Sequence, residues 1–187
     1  MIRLIKFFAI ISFCLTTNAI ALIEIDITEG NREPLPIAIS DFFYDEVDSL
    51  KLNEISNNLS DVVKADLERC GLFAPINEDA FIQKNSAMHL RPRFEDWRLI
   101  KSQALVTGKL KIVDEDKLRV EFRLWDTLAE KEIEALVLIT TLDNWRRISH
   151  MISDKVYERL TGEKGYFDTR ILLSLIHISE PTRRTSI

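Results

Sequence analysis

Two stretches of the chain carry a helical period. Trp145, Ile148, Ile152, Val156 and Leu160 recur every three or four positions, the stripe of an amphipathic helix starting near Asn144. Asp143 is its expected N-cap. Gly162 and Gly165 are its expected terminators, because glycine alone takes a positive φ without steric cost. Leu52, Ile55, Leu59, Val62, Val63 and Leu67 repeat the pattern in a helix predicted from about Asn53 to Cys70, which Gly71 stops. A shorter helix is predicted over Phe94 to Gln103, with Trp97 and Ile100 turned inward.

Elsewhere the period is two. Leu22 to Thr28, LIEIDIT, alternates apolar and acidic residues as a half-buried strand does, and Glu29-Gly30-Asn31 breaks it. Pro36 to Tyr44 is more continuously apolar, which predicts a strand nearer the sheet centre. Residues 75 to 91 are weakly patterned and read as a loop with a short element inside. Three strands follow, Ala104 to Val113, Lys117 to Trp125 and Glu132 to Leu142, joined at Asp114-Glu115-Asp116 and at Thr127 to Glu130. Two tight connections in succession make an antiparallel meander. The fold class is therefore α+β: a mixed sheet containing that meander, with the two longer helices packed on one face and the other face partly solvated.

Both ends change the picture. Arg3 and Lys6 precede an apolar run from Phe7 to Leu15, and Ala19-Ile20-Ala21 is an A-x-A cleavage site. Residues 1–21 read as a signal peptide cut after Ala21, which implies export to the periplasm. The apolar core falls far short of the roughly 20 residues that span a bilayer. Cys14 does not mark a lipoprotein, since bulky Phe13 stands where a small residue is required. At the other end, Leu173 to Arg183, LSLIHISEPTR, matches the translation of a transposon-type sequencing adapter. Residues 173–187 are accordingly expected to be an artefact.

Without Arg3 and Lys6 at one end, and Glu180, Arg183 and Arg184 at the other, the net charge moves from −5 to −8. So acidic a domain repels phosphate backbones, and no nucleic-acid partner is expected. Cys70 is then the sole cysteine, so no internal disulfide can form; it reads as a small buried residue rather than a reactive thiol.

No catalytic constellation stands out. His89 and His150 lack neighbours at metal-ligand spacing, and His150 reads as a packing or surface residue. The Asp114–Asp116 cluster lacks the calcium-loop pattern and reads as a charged hairpin turn. Thr161 to Gly165 lacks the phosphate-loop spacing. No cofactor or metal is expected, and the chain is not expected to be an enzyme. The alternating strand Ile23 to Thr28 is more suggestive: it could be an ordinary first strand, or could add to the sheet edge of a partner.

Several landmarks stand in order along the chain: PIAISDF, DLERCGLF, DWRLIKSQALVTGKL, RLWDTL and the run WRRISHMISDKVYERLTGEKGYFDTRI. Together they resemble the N-terminal domain of the TolB family, from about Ile23 to Ile171. The resemblance implies a domain like the anticodon-binding domains of some tRNA synthetases, followed in the family by a β-propeller. It implies a non-enzymatic periplasmic scaffold of the Tol–Pal system, supporting envelope integrity and cell division. TolA would be met by the mature N-terminal segment, carried here by Ile23, Glu24, Ile25, Asp26, Ile27 and Thr28. The lipoprotein Pal would be met by the propeller, which this chain lacks.

The expected organisation is then a signal peptide (1–21), the α/β domain (22–165), a connector (166–172) and the adapter-like tail. Trp145, Tyr166, Phe167 and Arg170 are the expected interdomain contacts, and the three aromatics are expected to be partly exposed here, making the fragment adhesive. A monomer is expected. The competing readings are a free-standing periplasmic module that binds a peptide or ligand, and a secreted hydrolase.

Overall fold

The computed structural model describes residues 33–45, 50–83, 91–114 and 116–169. The signal peptide, Ile23 to Thr28, His89, Arg170 and residues 173–187 lie outside them. One mixed sheet organises the rest. Its strands are β1 (Leu35–Ile39), β2 (Phe43–Tyr44), β3 (Phe73–Pro75), β4 (Ala104–Asp114), β5 (Lys117–Asp126) and β6 (Lys131–Thr141). The order is β3-β1-β4-β5-β6, with β2 also on β4. β1 is parallel to β3 and to β4, β2 is parallel to β4, and β4-β5-β6 is the antiparallel meander. The α+β mixed sheet read from the sequence is the fold observed.

Three helices accompany it: α1 (Leu50–Arg69), α2 (Phe94–Leu99) and α3 (Trp145–Thr161). The predicted stripes face inward. Leu52, Ile55, Leu59, Val63 and Leu67 of α1 and Ile148, Ile152, Val156 and Leu160 of α3 enter one cluster with Ile37, Ile39, Val106, Val120 and Phe122 of the sheet. Val62, expected with them, is only half-buried. Each such side chain taken from water contributes about 1.5–3 kcal/mol, so this layer holds the two long helices on the sheet. On the opposite face a smaller cluster of Ala38, Leu105, Phe94, Trp97 and Trp125 lies under α2. Trp97 is buried and Ile100 packs beside it, though α2 ends at Leu99 rather than Gln103. The remainder of that face carries charge, with Arg119 paired to Glu121 and Arg123 to Glu132.

The strand predicted over Pro36 to Tyr44 breaks at Ser40–Phe42. The helix holds the break open: Ser56 Oγ donates to the Phe42 carbonyl (2.8 Å) and Ser60 Oγ to Asp41 Oδ1 (2.6 Å). The Phe42 ring then lies over Gly108, where a Cβ would overlap the ring and stand 2.6 Å from the Glu121 carbonyl oxygen. The segment read as loop from residue 75 is preceded by β3, a strand the sequence reading missed. With three residues ending in proline it shows no alternation, and it sits at the sheet edge where a missing N–H is tolerated.

The start of the last helix and the part played by Gly165 also differ from expectation. Asn144, not Asp143, is the N-cap of α3, because Leu142–Asn144 forms a tight 3-10 turn that takes up Asp143. Gly162 does end α3 in the left-handed region, at φ 75°. Gly165 does not have a positive φ. Its lack of a side chain serves another purpose, described next.

Candidate functional site: the connector on the last helix

After Gly162 the chain turns back along α3 and is fastened there. The Asp154 carboxylate, two turns before the helix end, accepts the Phe167 N–H through Oδ1 (2.7 Å) and the Asp168 N–H through Oδ2 (3.1 Å). A Cβ at Gly165 would stand 2.5 Å from the Asp154 Cα and 2.6 Å from its Cβ, so the backbone approaches α3 more closely than any side chain permits. Arg147 Nε lies 3.2 Å from both oxygens of Asp168. Thr161 Oγ1 accepts the Glu163 N–H at the bend, at 3.2 Å.

An aromatic cluster covers the turn. Tyr166 and Phe167 stack on each other (centroids 4.7 Å, interplanar angle 29°). Both meet the edge or face of Tyr157, at 5.5 and 5.9 Å, and Tyr157 in turn meets Phe73 at 6.4 Å. Such pairs contribute about 0.5–1.5 kcal/mol beyond the area they bury. Burial raises the Tyr157 and Tyr166 hydroxyls above their ordinary range, with the nearby Cys70 adding to it. Burial also pushes the Cys70 thiol up; the side chain is half-buried, and its Sγ lies 3.0 Å from the Leu67 carbonyl oxygen, to which it donates.

Of the four expected interdomain residues, the structure brings Tyr166 and Phe167 together and leaves Tyr166 half exposed, at 50%. Trp145 is not part of that patch. It sits in the first turn of α3, twelve residues and so about 18 Å from Tyr157, partly buried against the main core with the Arg146 guanidinium 5.4 Å from its ring. Asp154, Tyr157 and Arg147 were not singled out by the sequence. GYFD directly after a helix end was the available signal, since two adjacent aromatics are costly to leave in water and a glycine permits close backbone approach.

His150 likewise proves to be more than packing. Its Nδ1 stands 2.6 Å from Oδ2 of buried Asp66, joining α3 to α1, while Arg69 reaches the other carboxylate oxygen. Asp114 pairs with Lys117 in the hairpin turn. Among the described residues no group of three or more His, Cys, Asp or Glu could hold a metal ion. No helix among them is long and apolar enough to cross a membrane.

Comparison with known proteins decides the family. Residues 23–133 match the family described as TolB amino-terminal domain. This chain belongs to that family. Its sequence is 51% identical to the Tol-Pal system protein TolB of Pelagibacter ubique (strain HTCC1062), over 97% of this chain and 41% of that protein. The fold is similar to the crystal structure of TolB from Acinetobacter baumannii, with a TM-score of 0.60 and 26% identity over 79% of this chain and 33% of that one. The chain thus spans well under half the length of these TolB relatives. The family match ends at Ile133, inside β6, yet α3 supplies four buried residues to the same core. The last helix thus packs in one core with the matched segment.

Proposed function

We propose that the chain acts as a periplasmic, non-enzymatic scaffold component of the Tol–Pal system, meeting TolA through Ile23 to Thr28. Its exposure to that partner depends on export and cleavage after Ala21. By the same family resemblance, Pal would meet the propeller that follows this domain in longer TolB proteins. The 51% identity to a Tol-Pal system TolB, spread over 97% of the chain, carries this reading. The alternating apolar and acidic segment supports it, since such a strand can add to a partner's sheet edge through its main chain.

The test is a pull-down of the processed chain by the C-terminal domain of TolA, with and without Leu22 to Thr28. Capture that needs those residues is the expected outcome. Capture that persists without them would move the contact elsewhere on the domain. No capture at all would favour the free-standing binding module. Mass analysis of the exported chain checks the second element, with Leu22 expected as its first residue.

A further inference from the structure

We propose that Asp154 and Gly165 form a clamp that fixes the direction in which the chain leaves this domain, so that residues 166–169 are a rigid strap and not a hinge. A flexible exit needs solvated backbone with few contacts; here the reverse holds. Two consecutive N–H groups, of Phe167 and Asp168, end on the two oxygens of one carboxylate. Gly165 lets the backbone come within contact distance of α3 at that same residue. Arg147, two turns nearer the helix start, takes the Asp168 side chain, and Tyr157 seats the Tyr166–Phe167 stack. The four contacts all lie on one face of α3, which is itself anchored by Ile148, Ile152, Val156 and Leu160. Direction is thus passed from the core, through one helix, to residue 169. This role is independent of which partner the domain meets, and it stands or falls separately from the TolA reading. Asp154 is a positioning residue in it.

Amide hydrogen exchange on the whole chain reads the clamp directly. The Phe167 and Asp168 amides should exchange about tenfold to a hundredfold more slowly than an unbonded amide, as hydrogen bonds to a charged acceptor allow. Asp154→Ala should abolish that protection while leaving the amides of β4 and β5 unchanged; Asp154→Asn, with one acceptor oxygen, should keep one of the two. Arg147→Ala is the milder variant should Asp154→Ala fail to fold, and it should lower Asp168 protection alone. With Cys14 and Cys70 both replaced by serine, spin labels at Lys51→Cys and Thr169→Cys should give a narrow distance distribution that broadens with Asp154→Ala. Unprotected amides in the parent chain, or a distribution already broad there, would overturn the proposal.

Discussion

Asp66 and His150 tie the two long helices together: Oδ2 of the buried carboxylate lies 2.6 Å from Nδ1 of the half-buried imidazole. The two residues are 84 positions apart, and the pair is a polar contact between α1 and α3 beside a largely apolar seam. Removing one partner strands the other. His150→Ala leaves the Asp66 carboxylate buried with only the exposed Arg69 near it. That should cost about 1–3 kcal/mol in urea unfolding, the range for an unsatisfied buried polar group. Asp66→Asn, which keeps an acceptor, should cost less than Asp66→Ala.

Gly108 should be intolerant of any side chain. A Cβ there meets the Phe42 ring and the Glu121 carbonyl, the latter on a central strand that cannot retreat. Gly108→Ala is expected to lose about 1–3 kcal/mol, the usual cost of overpacking. Adding Phe42→Leu should recover only part of it, because the carbonyl remains. Equal stability of Gly108→Ala and the parent in chemical denaturation would refute the packing described around β4.

Gly71 offers the opposite case. Nothing lies within 4 Å of a Cβ built there, yet φ is +75°. The cost of Gly71→Ala is then conformational alone, about 1–2 kcal/mol. Gly71→Asn should cost less than Gly71→Ala, since asparagine tolerates the left-handed region. A steric cause would reverse that order.

Alkaline pH should loosen the connector. Burial raises Cys70 from an ordinary 9.0, and Tyr157 and Tyr166 from 10.0. The unfolded chain therefore gives up these protons first. Stability from these groups is intact below about pH 9 and is lost as pH climbs through their folded values. Alkylation of Cys70 should be slow at pH 8 and accelerate only well above pH 9. Tyrosinate absorbance should appear later in the folded chain than in urea. Coincident curves would show that the cluster is solvated.

Much of the fold is local, and that much was legible. The stripe from Ile148 to Leu160 and the three strands after Gln103 repeat at their own periods over ten or more residues, so pattern alone located them. What escaped depends on partners distant in sequence. The break after Ile39 exists because Ser56 and Ser60 of the next helix bind its backbone. β3 is too short to alternate and is held by β1 and the end of α1. Asp154 reads as an ordinary polar position on a helix, and only the return of the chain thirteen residues later gives it two amides to hold. Trp145 and Tyr166 looked equivalent as aromatics flanking one helix, but helix length separates them.

The proposed contact with TolA rests on the segment Leu22 to Thr28. Calorimetric titration of the processed chain with the TolA C-terminal domain tests it most directly, repeated with a synthetic peptide of Leu22 to Thr28 as competitor. Saturable one-to-one binding that the peptide displaces and that deletion of those residues abolishes is the expected result. Binding that neither the peptide nor the deletion affects, or no heat of binding at all, would contradict it.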